Sequence, residues 1–239
     1  MLYLVNKFAY REKIVLKNCS VIILAAGNSS RFGLDDKLFS EIDGRYVIEI
    51  TVKKFMDIES FDQIIVVSNE RNFSKLESLF STSYCAKIEV ILGGMRRQDS
   101  VMQGLKHIRA TENVIVHDGA RPNLNTKIIY KGMELLEKEF GAIPVIPVRD
   151  ALKRIKNNKV IGNIDRTELY NSQTPQFFRF NELLKSHTLI QETLSDDAAI
   201  FIKAGYSVNV FDGDVCNFKI TYKEDLVLLN ALYKSGNNE

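Results

Sequence analysis

The 239 residues carry 32 Lys and Arg against 30 Asp and Glu, and this balance argues against a nucleic-acid tract or an acidic tail. The length suffices for one large α/β domain, and no apolar run approaches the roughly 20 residues that a membrane-spanning helix needs. The cysteines Cys19, Cys85 and Cys216 lack C-x-x-C spacing, which disfavours a disulfide framework or zinc site and predicts a cytoplasmic protein.

Residues 1–18 mix cations into apolar residues without a small-residue cleavage site, so we predict an N-terminal extension rather than a secretory signal. Short apolar strands then alternate with amphipathic helices. The predicted strands are 20–26, 63–68, 87–92, 113–117, 142–148 and 207–211. The predicted helices are 47–56, 72–80, 98–110, 126–140, 181–192, 197–204 and 224–233.

This order predicts a Rossmann-like, doubly wound α/β fold whose mainly parallel sheet is covered by helices on both faces. Ligands of such sheets bind beyond the carboxyl ends of the strands. We therefore expect one crevice, lined by the segments 27–37, 93–94, 118–121 and 212–219.

The first predicted strand ends in AAGNSSR at 25–31, and the turn closes at Lys37. Small residues let a ligand approach the backbone, and exposed N–H groups form a cradle for anions. Arg31 and Lys37 would add full charges beside phosphates, so the segment indicates a triphosphate site; an ordinary turn with surface cations is the alternative. Neither G-x-x-x-x-G-K-[ST] nor G-x-G-x-x-G is present, which disfavours a P-loop NTPase and a dinucleotide-binding dehydrogenase.

Two further segments follow predicted strands. Gly93-Gly94 opens a helix in which Asp99 or Ser100 would either cap the helix or contact a base or ribose. HDGARP at 117–122 places Asp118 at the end of a strand, where a carboxylate opposite a triphosphate would hold Mg²⁺. The alternative for Asp118 is a surface pair with Arg121.

Residues 149–173 break the alternation and predict a β-arm, with strands at 151–155 and 160–164 around a turn at 157–158. Because a projecting hairpin is marginal alone, the arm predicts a homodimer. Arg166 and Thr174 bracket its end and suit a phosphate monoester. Lys219 follows the last strand and would face the crevice, unless it is an ordinary solvated lysine.

In chain order the segments read AAGNSSR, GGMRRQDSV, HDGARP, VRDALKR, DRTELY with TPQFF, SDDAA and NFKITYKEDL. They resemble A-A-G-x-G-x-R…P-K-Q, G-G-x-x-R-x-D-S-V, H-D-A-A-R-P, V-x-D-T-x-K-R, D-R-x-x-L-W…T-P-Q-x-F, T-D-[DE]-A-S and N-I-K-[VI]-T-x-P-E-D-L of the 2-C-methyl-D-erythritol 4-phosphate cytidylyltransferase family, a sugar-nucleotidyltransferase group. The resemblance covers about residues 20–235.

The resemblance implies a single nucleotidyltransferase domain over 19–239, with its β-arm at about 149–173 and a homodimer formed through that arm. It also implies Mg²⁺-dependent transfer of a cytidylyl group from CTP to 2-C-methyl-D-erythritol 4-phosphate, with release of pyrophosphate. This reaction belongs to isoprenoid precursor synthesis by the non-mevalonate route. The implied partners are CTP and a polyol phosphate, without nucleic acid or membrane.

Site residues follow position by position from the resemblance. The cytidine nucleotide would be surrounded by Ala25, Ala26, Gly27, Gly94 and Ser100. The catalytic positions around the triphosphate and transition state fall on Arg31, Lys37 and Lys219. Asp118 matches the carboxylate near Mg²⁺ and substrate. The positions that hold the methylerythritol phosphate, with the arm reaching into the partner's site, are Arg121, Arg166, Thr174 and Ser195.

The chain departs from the family pattern at several positions. The loop between Arg31 and Lys37 is one residue shorter, and Asp36 and Leu38 replace the Pro and Gln of P-K-Q. In addition, Ser195 and Tyr170 replace Thr and Trp. Ala151 stands where the arm normally has a substrate-binding Thr, so the acceptor is less firmly indicated than the cytidylyl chemistry.

Two alternatives stay open. A ribitol-5-phosphate cytidylyltransferase would share the nucleotide site, but that group tends to show T-D-A rather than the double acid Asp196-Asp197. HDGARP and DRTELY also favour methylerythritol. A non-catalytic nucleotide sensor would explain the altered P-K-Q segment, but the joint presence of Lys37, Asp118 and Lys219 with Arg31 argues against it.

Overall fold

The computed structural model describes residues 18–29, 31–33, 36–83, 87–109 and 111–235. Most of the predicted N-terminal extension lies outside these residues. Ser30 of the AAGNSSR turn, Cys85, Ala110 at the predicted end of a helix, and residues 236–239 also lie outside them.

The strands of the described chain alternate with helices in the order that the sequence predicts. The strands are β1 (Cys19–Ala25), β2 (Glu41–Ile42), β3 (Arg45–Tyr46), β4 (Phe61–Ser68), β5 (Ile88–Leu92), β6 (Asn113–Asp118), β7 (Gly141–Pro147), β8 (Leu152–Lys156), β9 (Lys159–Ile164), β10 (Tyr170–Ser172), β11 (Gln176–Arg179) and β12 (Asn209–Asp212). The α-helices are α1 (Val47–Met56), α2 (Glu70–Ser83), α3 (Arg97–His107), α4 (Thr126–Leu136), α5 (Phe180–Leu189), α6 (Asp197–Lys203) and α7 (Lys223–Lys234).

Within the described residues, eight strands form one sheet in the order β10-β7-β11-β6-β1-β4-β5, with β12 paired to β7. The β1–β4, β1–β6, β4–β5 and β7–β12 pairs are parallel, whereas β10 and β11 run antiparallel to their neighbours. The short β2–β3 and β8–β9 pairs stand apart. The mainly parallel sheet is confirmed, and the antiparallel strands make it mixed.

Strand β1 shows why the sheet is covered on both faces. Successive side chains of a strand point to opposite faces. Val21 and Ile23 enter a core cluster with α1, α2, α4 and α7, whereas Ile22 enters a second cluster with α3, α5 and α6. Since both faces of β1 are buried, its unbroken apolar run is explained, and the doubly wound α/β class is confirmed.

Strand β11 is missing from the sequence prediction. It inserts antiparallel between β6 and β7, and both Phe177 and Phe178 are fully buried. A Cβ atom on Gly132 of α4 would overlap the ring of Phe177, so glycine there allows the helix to pack closely on the strand. A four-residue run directly after Pro175 is too short to show periodicity, which explains the omission.

The hairpin predicted within 149–173 forms as β8 and β9. Lys156 pairs with Lys159, so Asn157 and Asn158 make a two-residue turn, with φ of 48° and 58°. Positive φ at both positions is the geometry of the tight hairpin turn that asparagine favours. Ile155 and Val160 are exposed by 64% and 62%, which leaves an apolar surface on the hairpin. In the described part of the chain, no helix is long and apolar enough to cross a bilayer.

Candidate active site

A cleft of about 230 Å³ lies at the carboxyl ends of β1 and β6. It brings together eight of the predicted site residues: Ala25, Ala26, Gly27, Lys37, Gly94, Ser100, Asp118 and Lys219. The expectation that the segments after the strands meet in one crevice is therefore confirmed for these residues. A larger cavity of about 710 Å³ is lined by Phe32, Phe39 and Lys75 among others, and contains none of the predicted site residues.

The small-residue loop after β1 leaves space where a ligand would approach. A Cβ atom on Gly27 would meet no protein atom within 4 Å, so the packing of the chain itself does not require glycine there. In the same cleft, the Gly94 N–H donates to Ser100 Oγ at 3.2 Å and closes the turn before α3. Asp99 accepts from the Arg96 N–H at 3.0 Å, so this carboxylate caps the helix.

Asp36 fixes the loop that carries Lys37. Its carboxylate accepts from the Leu38 N–H at 3.0 Å and from Asn72 Nδ2 at 2.5 Å, which caps a short 3₁₀ turn over Lys37–Phe39. The Lys37 ammonium donates to the Ile220 carbonyl at 2.9 Å. Burial, and then the neighbouring Lys219 charge, lowers the pKa of Lys37. Lys37 therefore lines the cleft although the segment between Arg31 and Lys37 is one residue shorter than in the family pattern.

Asp118 forms the electrostatic centre of the cleft. Its Oδ2 lies 3.1 Å from both Arg121 Nε and Lys219 Nζ. Burial alone would raise the pKa of this carboxyl, but Lys219, Arg121 and Arg97 hold it well below its usual range. The Asp118–Arg121 pair is therefore present but buried, and Lys219, with 38% of its side chain exposed, is tied to the cleft rather than free in solvent.

His117 and Thr174 form a buried set of hydrogen bonds next to Asp118. Burial lowers the pKa of the fully buried His117 to about 3, so the imidazole is neutral. Its Nε2 lies 3.2 Å from the Arg121 carbonyl and its Nδ1 lies 3.0 Å from Thr174 Oγ1. Nε2 therefore carries the hydrogen, and Nδ1 accepts from the Thr174 hydroxyl, which itself accepts from the Asp118 N–H at 3.0 Å.

The residues predicted to hold the acceptor phosphate do not all line the cleft. Arg166 and Ser195 are exposed, and neither lines the cleft. The hydroxyl of buried Thr174 is engaged by two protein groups, and the Arg121 guanidinium binds Asp118 and, at 2.7 Å, the Asn217 carbonyl. Arg31 is also exposed and outside the cleft lining, although its charge acts on Lys37. The roles that the resemblance gives these residues stay predictions.

Arg97 is a cleft-lining residue that the sequence reasoning missed. Its Nη1 lies 2.7 Å from Oδ2 of Asp197, a carboxylate with no exposed surface. An arginine at the start of an amphipathic helix resembles any solvated cation, which explains the omission. The available signal was its place in GGMRRQDSV, together with the second acid of SDDAA.

No group of three or more His, Cys, Asp and Glu among the described residues is arranged to hold a metal by itself. Asp118 is the carboxylate that lines the cleft. Mg²⁺ in phosphoryl-transfer sites is commonly bound by one or two carboxylates, with substrate phosphates and water completing the shell. The residues present fit that mode.

A doubly wound α/β fold, with a small-residue loop after β1 and cations around a buried carboxylate, fits a nucleotidyltransferase. A sequence model of the 2-C-methyl-D-erythritol 4-phosphate cytidylyltransferase family matches residues 19–235. The chain belongs to this family.

Two relatives support the family assignment. The chain is 35% identical over 223 residues to the 2-C-methyl-D-erythritol 4-phosphate cytidylyltransferase of Bacillus licheniformis, covering 91% of this chain and 96% of the relative. It is 36% identical over 227 residues to the enzyme of that name from Clostridium acetobutylicum, covering 92% and 98%.

Solved structures agree as well. The 4-diphosphocytidyl-2C-methyl-D-erythritol synthase of Anaerococcus prevotii superposes with a TM-score of 0.79 at 29% identity, covering 91% of this chain and 96% of that one. The 2-C-methyl-D-erythritol 4-phosphate cytidylyltransferase of Thermus thermophilus gives a TM-score of 0.75 at 28% identity, covering 91% and 99%.

Proposed function

We propose that this chain transfers the cytidylyl group of CTP to 2-C-methyl-D-erythritol 4-phosphate and releases pyrophosphate, a step of isoprenoid precursor synthesis. The observation that carries the proposal is the cluster of Lys37, Lys219 and Asp118 in the cleft that the small-residue loop also lines. Family membership supports the choice of nucleotide and acceptor.

The reaction needs positioned charge rather than a base. A phosphate oxygen of the acceptor attacks the α-phosphorus of CTP, a P–O bond forms, and the bond to the bridging oxygen breaks so that pyrophosphate leaves with the electron pair. A phosphate monoester is largely ionised near neutral pH, so no side chain has to remove a proton. Lys37 and Lys219, with Arg31 at the loop, would stabilise the charge that develops on the phosphoryl oxygens.

Mg²⁺ is the proposed cofactor, and Asp118 is the residue that would hold it. When bound, the ion neutralises charge on the phosphate oxygens and orients them. Lys219, Arg121 and Arg97 support this role because they keep the pKa of Asp118 low, which favours the ionised carboxylate.

A homodimer through the β8–β9 hairpin is part of the proposal. Exposed apolar side chains on the hairpin, among them Ile155, Val160 and Ile161, support it because burial against a partner would remove them from water. The dimer would also explain why Arg166 lies outside the cleft of its own chain. A cytoplasmic location is supported by the free thiols of Cys19 and Cys216.

The test is pyrophosphate release with CTP and Mg²⁺ against 2-C-methyl-D-erythritol 4-phosphate, ribitol 5-phosphate and other polyol phosphates. We expect the highest kcat/KM with methylerythritol phosphate, a preference for CTP over ATP and GTP, and loss of turnover when a chelator removes the metal. A higher kcat/KM with ribitol 5-phosphate would assign the chain to that acceptor. CTP binding without turnover of any acceptor would favour a nucleotide sensor.

A further inference from the structure

A buried ion pair reaches the cleft from the side opposite the Lys37 loop. Arg97 lines the cleft with 29% of its side chain exposed, and its guanidinium contacts Asp197 at 2.7 Å. The other carboxylate oxygen of Asp197 lies 3.0 Å from His187 Nε2, and both side chains are fully buried. A buried carboxylate is costly unless it is paired, so this arrangement fixes where the guanidinium points.

Side chains at the start of α3 also form hydrogen bonds with residues 190–197, which we call the acceptor segment because Ser195 lies in it. Arg96 Nη1 donates to the Gln191 carbonyl at 2.9 Å and to Thr193 Oγ1 at 3.2 Å. Gln98 Nε2 donates to the Ile190 carbonyl at 2.6 Å. Three consecutive side chains at the start of α3, with Arg97 between the two others, therefore hold the acceptor segment.

The acceptor segment is fixed at its far end as well. Asp196 Oδ2 accepts from Ser172 Oγ at 2.9 Å and from Gln176 Nε2 at 2.8 Å. Ser172 ends β10, the strand that follows the hairpin and Arg166 along the chain. The double acid thus joins the strand after the hairpin to the cation in the cleft.

We propose that Arg97 is a further substrate-contacting residue, which binds the phosphate of the acceptor, and that Asp197 and His187 are positioning residues that aim it. The inference rests on the proposed function. The planar guanidinium of arginine carries several N–H donors in an arrangement that suits a phosphate. In Arg97, Nη1 already contacts Asp197, which holds the guanidinium in place.

The acceptor is favoured over the nucleotide by what Arg97 is attached to. Gly94 and Ser100, the predicted nucleotide contacts on this wall, hydrogen-bond to each other across the turn before α3. Arg97 is tied instead to Asp197, two residues after the exposed Ser195. Its charge also acts on Asp118, beside which Lys219 lies. Arg97 therefore lies between the acceptor segment and the electrostatic centre of the cleft.

The decisive variant is the double substitution Arg97→Gln with Asp197→Asn. Removing the guanidinium alone leaves a buried carboxylate unpaired and risks unfolding, whereas the double variant removes both charges together and keeps a polar side chain at each position. We expect it to melt close to the wild type, to bind CTP within about twofold of wild-type Kd by calorimetric titration, and to raise the KM for 2-C-methyl-D-erythritol 4-phosphate at least about 10-fold.

Two single variants complete the design. Arg97→Lys keeps the charge and should recover part of the KM loss, and Asp197→Asn should raise the same KM because the guanidinium loses its anchor. Arg179→Gln is the matched control, since Arg179 binds Asn113 Oδ1 at 3.2 Å at the start of β6, away from the cleft.

A double variant with wild-type acceptor KM would reduce Arg97 to a structural role and overturn the proposal. A CTP affinity that falls as far as the acceptor KM rises would also overturn it, because Arg97 would then belong to the nucleotide half. Absence of turnover by the wild type in the same assay contradicts the proposed function instead, so the two failures are distinguishable.

Discussion

Ala25, Gly27 and Ser100 lie in a cleft that a single chain forms by itself, whereas Arg166 and Ser195 lie exposed and outside it. The first group consists of small residues on a strand end and a helix start, held by the sheet and by hydrogen bonds such as that from the Gly94 N–H to Ser100 Oγ. The second group lies on segments around the hairpin and between helices.

The comparison divides the predicted site into a nucleotide half, which lies in the cleft, and an acceptor half, to which Arg166 and Ser195 are assigned. On the proposed roles, the nucleotide half is preorganised in the monomer, because the sheet that positions it is the core of the fold. The part of the acceptor half that contains Arg166 would be completed by a partner subunit. Substitutions in the two halves should therefore affect different kinetic constants.

The sharpest test concerns the lysines of the preorganised half. Lys219→Met and Lys37→Met should each lower kcat by about 10²–10³-fold, because each removes a cation placed where charge develops in the transition state. CTP binding should change far less. Pyrophosphate release gives kcat, and calorimetric titration gives the Kd for CTP.

Lys131→Met is the matched control, since Lys131 pairs with Glu134 at 3.0 Å on an exposed face of α4. A change in kcat below about twofold at Lys219 would mean that its pairing with Asp118 is only structural. Wild-type kcat in Lys37→Met would show that its hydrogen bond to the Ile220 carbonyl, and not catalysis, accounts for its burial.

The acceptor half is tested by Arg166→Ala. We expect the KM for the sugar phosphate to rise about 30-fold, which corresponds to ~2 kcal/mol for an arginine–phosphate contact, with the CTP affinity nearly unchanged. Steady-state kinetics with each substrate varied in turn measures both.

If the hairpin completes the site of a partner, mixing Arg166→Ala with Lys219→Met subunits should restore about a quarter of wild-type activity, since half of the dimers would then carry one intact site. Mass spectrometry checks that subunits exchange. An inactive mixture with confirmed exchange would place Arg166 in the site of its own chain.

The smallest effect expected is on stability, within the preorganised half. The unfolded chain takes up a proton on His117 near pH 6.5, whereas burial delays this uptake in the folded chain to about pH 3. Stability from this group is therefore lost as the pH falls through that window, by ~2 kcal/mol between about pH 6.5 and about pH 4.5. Urea unfolding across this range measures the loss.

His117→Asn should flatten that pH dependence, and His107→Asn, which changes an exposed histidine of α3, should keep it. Equal slopes for wild type and His117→Asn would show that another group carries the acid sensitivity. Such a result would leave the hydrogen bonds of His117 to Thr174 and Arg121 as its whole contribution.

The sequence predicts the preorganised half well for a physical reason. Parallel strands buried on both faces are nearly all apolar, and their carboxyl ends meet at one edge, so the residues after β1, β5 and β6 can be placed from chain order alone. The helix predicted at 47–56 is found as Val47–Met56, and the asparagine turn of the hairpin falls where the sequence places it.

What the sequence did not reveal depends on contacts between distant segments. Strand β11 has only four residues, and it is a strand because β6 and β7 flank it. Arg97 and Asp197 are 100 positions apart, so neither residue type nor spacing indicates that they pair. The same holds for Thr174, whose hydroxyl meets His117 only in the folded chain.

The double acid has a consequence for how the chain tolerates changes in length. Asp196 is extended, with φ of −154° and ψ of −179°, and its carboxylate turns to Ser172 while that of Asp197 turns to Arg97. Asp196 is the N-cap of α6 and Asp197 is its first residue, so both carboxylates are placed by where that helix begins. A one-residue deletion just before Asp196 would therefore draw both acids away from Ser172 and Arg97, whereas an insertion at Asn157-Asn158 would only enlarge a solvent-facing loop.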